Sequence, residues 1–253
     1  MRQLSEKDIE AAKEYLRQRL EVEQSMTSLL GKAMKEAAER IVDICYAENI
    51  NPQNFRYANL SLRAQSEVDE VIEWLRDTVD DYYETFAVAD HEDDREYLLP
   101  IIYGENHGAT FAERLEDYCD KYKNELMLLI GAGLFLGITK SALAKSIGDN
   151  LRHPYANQML ADGIDAPLTY GRGRTNSMFT AIGDLTRFGI AQGWMKSWER
   201  STAKDGCIGW IVQRGSSYPC SVCDENCGFH PVDEGTGLPV HGHCACFAVP
   251  AYI

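Results

Sequence analysis

The sequence has no long apolar run. Its longest, Leu126 to Ile138, is thirteen residues and contains three glycines, too short to span a bilayer, so no membrane partner is expected. Nor does the chain open with the charged start, apolar middle and small-residue cleavage site of a secretory signal. It is therefore expected to fold in a cytoplasm, where thiols stay reduced. A basic excess is missing too: the formal net charge is −14. Residues 1–125 hold 29 of the 39 acidic side chains and 15 of the 25 basic ones, while residues 126–253 hold ten of each. Binding along a phosphate backbone runs on clustered Lys and Arg, so direct nucleic-acid binding is disfavoured. An acidic front half serves solubility or a basic protein partner. Catalytic signatures are absent: no Gly-x-Ser-x-Gly, no Walker loop, no His-Glu-x-x-His. The glycines of Gly131 to Gly137 (GAGLFLG) have the wrong spacing for a dinucleotide fingerprint. The chain thus reads as a non-enzyme without a small-molecule substrate. Internal repeats and low-complexity tracts are also lacking.

What is present is a composition of 45% hydrophobic and 25% charged residues over 253 positions, enough for one large domain or two modest ones. Apolar residues recur at helical spacing in residues 5–48 (Ile9, Leu16, Leu20, Met26, Leu30, Ala33, Met34, Ala37, Ile41, Ile44), with Ser5 and Asp8 as a cap and Asn51-Pro52 as a stop. Further helices are expected over 61–86 (stripe Leu62, Val68, Ile72, Leu75, Val79, Tyr82, Phe86), 109–137, 139–151 and 172–200, the last amphipathic through Met178, Ile182, Leu185 and Trp194. Asp90 to Glu96 reads as a solvated charged linker, and the turn formers of 152–171 place a domain boundary near 165. Strands are few: 207–212, 229–232 and 247–249. The expected fold is mainly α, a helical N-terminal region (1–165) followed by a small α+β C-terminal domain (166–253) with a cysteine/histidine-rich, metal-knuckle-like end.

That end is the concentrated feature. From Cys220 the chain carries Cys220, Cys223, Cys227, Cys244 and Cys246 together with His230, His241 and His243. A Cys-x-x-Cys pair, seventeen intervening residues and His-x-His-Cys-x-Cys place two ligand-bearing turns at either end of a foldable loop. Two residues between ligands let both reach one ion, so Cys220, Cys223, His241 and Cys244 form the expected tetrahedral set for a structural zinc. Cys246 is a substitute for Cys244, and Cys227, His230 and His243 are spares. A disulfide (Cys220–Cys223 or Cys227–Cys244) and free thiols remain the other readings. Cys45 and Cys119 lie on apolar helical stripes and read as core; Cys207 opens a strand and could join the cluster. Arg172, Arg174 and Thr175 at a helix start could hold an anion or pair with the acidic front half.

These pieces in combination resemble the phage Mu F-like minor head proteins. The resemblance rests on the helix RGRTNSMFTAIGDLTRFGIAQGW, on Trp198 and Trp210, on PCSVC, and on LPVHGHCAC before a final segment with Pro250. It covers residues 170–253, with residues 137–147 resembling the short helix that precedes the domain in that family. Pro239, His241, Cys244 and Cys246 match the family's Pro-x-His-Pro-Asn-Cys-Arg-Cys ending; Gly242, His243 and Ala245 depart from it. The resemblance implies a structural component of a tailed-phage or prophage capsid, with portal and capsid proteins as partners and a role in head assembly and DNA delivery, so that packaged DNA is met only indirectly. Its expected location is the host cytoplasm during assembly and then the virion head. Some relatives carry toxin domains; with three residues after Pro250, none is expected here. The competing readings are a metal-dependent hydrolase or transferase, with Asp224, Glu225 or His230 as general base, and a zinc-containing nucleic-acid-binding module.

Overall fold

The structure, a computed structural model, describes residues 4–106, 108–152, 177–204 and 206–253. Within them the chain forms helices α1 (Glu6–Ala47), α2 (Leu62–Ala87), α3 (Arg95–Ile102), α4 (Phe111–Phe135), α5 (Lys140–Arg152), α6 (Met178–Thr202) and the one-turn α7 (Ser221–Glu225). Three short strands follow the long helices: β1 (Cys207–Gln213), β2 (Gly228–Pro231) and β3 (Phe247–Tyr252). The expected architecture, mainly helical with a small sheet and a Cys/His cluster near the end, is the one observed. Among the described residues no helix is long and apolar enough to cross a membrane.

The chain divides into two compact units. The first comprises Met1–Thr27, Tyr82–Phe111 and Asp184–Ile253; the second comprises Ser28–Asp81 and Ala112–Gly183. The expected boundary near 165, and the expected anion site at Arg172, Arg174 and Thr175, lie outside the described residues.

In the second unit, α1 contributes Leu30, Met34, Ala37, Ile41 and Cys45, and α2 contributes Val68, Ile72, Leu75 and Val79, all buried. The α4 residues Leu115, Cys119, Tyr122, Leu126 and Leu129 are buried as well, so Cys45 and Cys119 are core residues as the stripes require. Tyr122 donates its hydroxyl hydrogen to the Met34 carbonyl at 2.6 Å, and Tyr46 donates to Ile138 at 2.8 Å. Glu125, buried on α4, accepts the Met178 N–H with both carboxylate oxygens at 3.0 and 3.2 Å. A carboxylate there satisfies an orphan amide at the start of α6 and suits the positive end of its dipole. Leu62 proves 85% exposed; it opens α2, where the stripe has not yet met a neighbour.

The first unit is built around α6 from Asp184 onward. The amphipathic pattern expected there is not what forms: no residue from Asp184 to Glu199 is exposed. A helix covered on every side leaves no polar face for the pattern to display. Its glycines admit close neighbours. A Cβ at Gly189 would lie 2.0 Å from the Tyr83 ring, and one at Gly193 would lie 2.6 Å from the Ala87 carbonyl oxygen. Tyr83 stacks on Phe111 with centroids 3.6 Å apart and donates to the Ile102 carbonyl at 2.7 Å. Within α2 it is Tyr83, not Tyr82, that is buried.

The segment expected as a linker is ordered instead. A 3-10 turn over Glu92–Asp94 runs into α3, because Asp94 has partners on α6: it accepts from Ser197 Oγ at 2.7 Å and pairs with Arg200 at 3.4 Å. His91 is half-buried, its Nε2 2.8 Å from the Tyr15 hydroxyl, which itself donates to the Trp194 carbonyl at 2.5 Å. One phenol has one proton, so His91 must be the donor to Tyr15.

The sheet has the order β2-β1-β3, antiparallel throughout. Gly209 sits at the centre with φ +150, where a Cβ would lie 2.1 Å from the His230 carbonyl oxygen. The sheet is fastened to α6 by buried donors that need partners. Trp198 Nε1 donates to the Ala248 carbonyl at 2.8 Å and Trp210 Nε1 to Thr202 Oγ1 at 2.8 Å. Tyr252 donates to the Thr202 carbonyl at 3.0 Å.

Candidate metal centre

The cysteine-rich end folds over the sheet, and its thiols become part of an apolar cluster. Cys223, Cys244 and Cys246 pack with Met195, Trp210, Val212, Leu238 and Ala248. Two devices bring the distant turns together. Arg214, just past β1, donates to the carbonyls of Tyr218 and Cys220 and to Asp224 Oδ1, closing the first turn. Glu199 on α6 holds the intervening loop: its Oε1 accepts from Thr236 N at 2.7 Å and Thr236 Oγ1 at 2.6 Å, and Lys196 pairs with it at 2.7 Å. Asn226 ties the two ends of the loop, donating to the Thr236 carbonyl at 3.1 Å. The Leu238–Pro239 peptide bond is cis.

Cys220 and Cys223 flank the start of α7, where Cys220 Sγ accepts the Cys223 N–H at 3.4 Å. The Cys-x-x-Cys forms a tight turn in which Cys220 caps the one-turn helix. His241 Nε2 lies 3.4 Å from Cys220 Sγ and 3.1 Å from Cys223 Sγ. A tetrahedral ion bound by sulfur and nitrogen holds such atoms about 3.6 Å apart, given bond lengths of about 2.3 and 2.1 Å. Cys223, Cys244 and Cys246 form a second group; within each trio the ligand atoms lie within 4.8 Å of one another. Cys223 belongs to both.

All five expected ligands therefore gather in one place, as two trios hinged on Cys223. Among the described residues no four of these atoms meet that spacing together. Closing a tetrahedron on Cys220, Cys223 and His241 requires Cys244 or Cys246 to swing in. The donor set, soft sulfur with one imidazole and no carboxylate, suits a thiophilic metal ion. His241 must adjust as well. Its Nδ1 accepts the His243 N–H at 3.1 Å, which leaves the neutral ring's proton on Nε2, facing the sulfurs. An ion at Nε2 takes that proton's place, and Nδ1 must then exchange its acceptor role for a donor one.

The thiols differ in acidity for physical reasons. Burial pushes Cys223 up to about 12. Cys244 lies well below the usual thiol range, first because the Cys246 thiol donates to it, then through backbone hydrogen bonds from Val240 and Cys246 and the charge of Arg19. Cys246, which keeps the shared proton, is displaced upward by that bond and by burial.

The spares lie elsewhere. His230 Nε2 is 2.9 Å from the Asn226 carbonyl oxygen. His243 sits between Asp184, 2.9 Å from its Nε2, and Arg187, 3.0 Å from its Nδ1. Cys207 Sγ contacts the Gly209 carbonyl at 3.5 Å. Asp224, one of the residues considered as a base, is engaged by Arg214.

One residue beside the cluster went unread in the sequence. Arg19 on α1 has no exposed surface and donates through Nη2 to the Cys244 carbonyl. Its neighbour one turn on, Glu23, is buried too, and burial raises that carboxyl to about 7. The signal was available: the buried positions step as Ala12, Leu16, Arg19, Glu23, Met26 and Leu30. Arg19 and Glu23 thus occupy an apolar stripe that had been assigned to Leu20, which is 38% exposed.

No protein-family model matches this chain, and no curated protein or solved structure is found similar to it.

Proposed function

We propose that the protein is structural, with its C-terminal unit clasped by one zinc ion, and that it serves as a minor head protein of a tailed phage or prophage. The observation that carries the zinc reading is the convergence of Cys220, Cys223 and His241, with Cys244 and Cys246 meeting the same Cys223 sulfur. When bound, zinc would supply a tie between turns at either end of the loop. Four protein ligands leave no open position, which suits a structural site rather than a hydrolytic one. The head-protein reading is supported by the resemblance of residues 170–253 and by the gathering of its matched residues, His241, Cys244 and Cys246, at this one cluster.

Two measurements test the two parts. Elemental analysis of the purified chain is expected to give one zinc per chain, lost on Cys220→Ser. Co-expression with a tailed-phage portal protein is expected to give a complex that survives size-exclusion chromatography. A chain that purifies without zinc under reducing conditions sinks the first part, and a chain that never co-elutes with portal or procapsid sinks the second.

A further inference from the structure

We propose that Arg19 is the buried countercharge and positioning residue of the metal centre. This rests on the zinc reading above and adds a residue from the other end of the chain, 225 positions from Cys244.

The argument starts from a charge that is poorly matched. Arg19 is entirely buried and always cationic. A buried guanidinium needs an anion and partners for its five donors. Glu23 comes close, with Oε1 3.1 Å from Arg19 Nε. The alignment fails, however: Arg19 Nε, Arg19 Nη1 and Glu23 Oε1 all lack a hydrogen-bond partner among the described residues. A stability role alone does not explain this arrangement, since a methionine would fill the same stripe without a desolvated charge.

This incompletely satisfied cation faces the cysteines. Nη2 donates to the carbonyl of Cys244, and Arg19 shares with Cys246 the lining of a cavity of about 10 Å³. A centre of one divalent ion, three thiolates and one neutral imidazole carries a net charge of −1. Arg19 carries +1 and lies beside it in a medium of low dielectric, where opposite charges attract far more strongly than in water. The bond to the Cys244 carbonyl also fixes the backbone from which Cys244 and Cys246 both project, as partners outside the ligand shell do in other metal sites.

Competition with a chromophoric chelator for zinc tests this, using the full chain and three variants. Arg19→Met is expected to weaken zinc binding by about 10- to 100-fold, the usual cost of losing a partner behind the ligands. Arg19→Lys, which keeps the charge, is expected to recover most of that loss. Glu23→Gln removes the competing carboxylate and is expected to bind zinc at least as tightly as the unaltered chain. A loss of packing would weaken binding instead, so this outcome carries the test if Arg19→Met does not fold. Unchanged affinity in Arg19→Met overturns the proposal, as does a loss in Glu23→Gln or a loss in Arg19→Lys equal to that in Arg19→Met. An unaltered chain that takes up no zinc overturns the zinc reading itself.

Discussion

A Cβ built on Gly215 would lie 2.0 Å from the carbonyl oxygen of Ala245 and 2.7 Å from Leu16 Cδ2. Gly215 follows β1, and Ala245 separates the two cysteines of the final pair. The segments touch backbone to backbone, and a backbone oxygen cannot swing aside. Gly215→Ala is therefore expected to cost about 1–3 kcal/mol, the usual penalty of overpacking. Urea denaturation measures the loss. Because the displaced residue is Ala245, zinc stoichiometry should fall with it; a variant as stable as the parent and fully loaded contradicts the contact.

Cys223 is the sulfur common to both trios. Cys223→Ser is expected to abolish stoichiometric zinc, whereas Cys227→Ser, outside both, should leave it unchanged. Elemental analysis of the two variants side by side decides the matter. Equal zinc in both would falsify the shared-sulfur geometry.

Tyr83 is held by the stack on Phe111 and by its bond to the buried Ile102 carbonyl. Tyr83→Phe keeps the ring and removes the donor, at a cost of about 1–2 kcal/mol. Gly189→Ala instead drives a methyl into that ring at 2.0 Å and should cost more than the hydroxyl deletion. Chemical denaturation ranks the two; the reverse order refutes the packing described.

Glu125 accepts the first amide of α6 from a buried position. Glu125→Ala leaves that amide without this partner and is expected to cost about 1–3 kcal/mol, with Glu125→Gln, which keeps an acceptor, costing less. Matching losses in thermal unfolding would show that the acceptor is not what matters.

His91 supplies a pH dependence. Burial lowers its pKa, while Asp94 and Asp90 act the other way without reversing it. The folded state thus prefers the neutral ring, and the unfolded chain binds more protons between the folded pKa and about 6.5. Stability contributed by this group is present above that window and lost as pH falls through it. Between pH 7 and pH 5 the melting temperature of the unaltered chain should drop more than that of His91→Gln, whose amide can still donate to Tyr15. Comparing the two chains removes the acid sensitivity common to both; parallel pH profiles exclude the assignment.

Local patterns made much of this legible. The spacing of Leu30, Met34, Ala37 and Ile41, and of Leu115, Tyr122, Leu126 and Leu129, marks α1 and α4 because helical period and burial coincide there. The strand at Cys207 to Gln213 is visible as a short apolar run. The five candidate ligands are visible as close spacings, since one or two intervening residues let neighbouring side chains converge. Failures occurred where the environment overrides the pattern. Asp90 to Glu96 looked solvated because its partners, Ser197 and Arg200, are a hundred residues away. The helix after Asp184 looked amphipathic because its covering neighbours are equally remote in sequence.

The sequence alone therefore determined the helical character, the sheet-forming segments and the chemical identity of the cluster, all properties of residue type at short spacing. Tertiary structure alone decided that the cysteines meet as two trios through Cys223, that Glu199 and Arg214 hold the loop closed, and that Arg19 lies behind them. Those relationships join positions up to 225 residues apart, and chain folding, not local propensity, selects which charge is buried beside which sulfur.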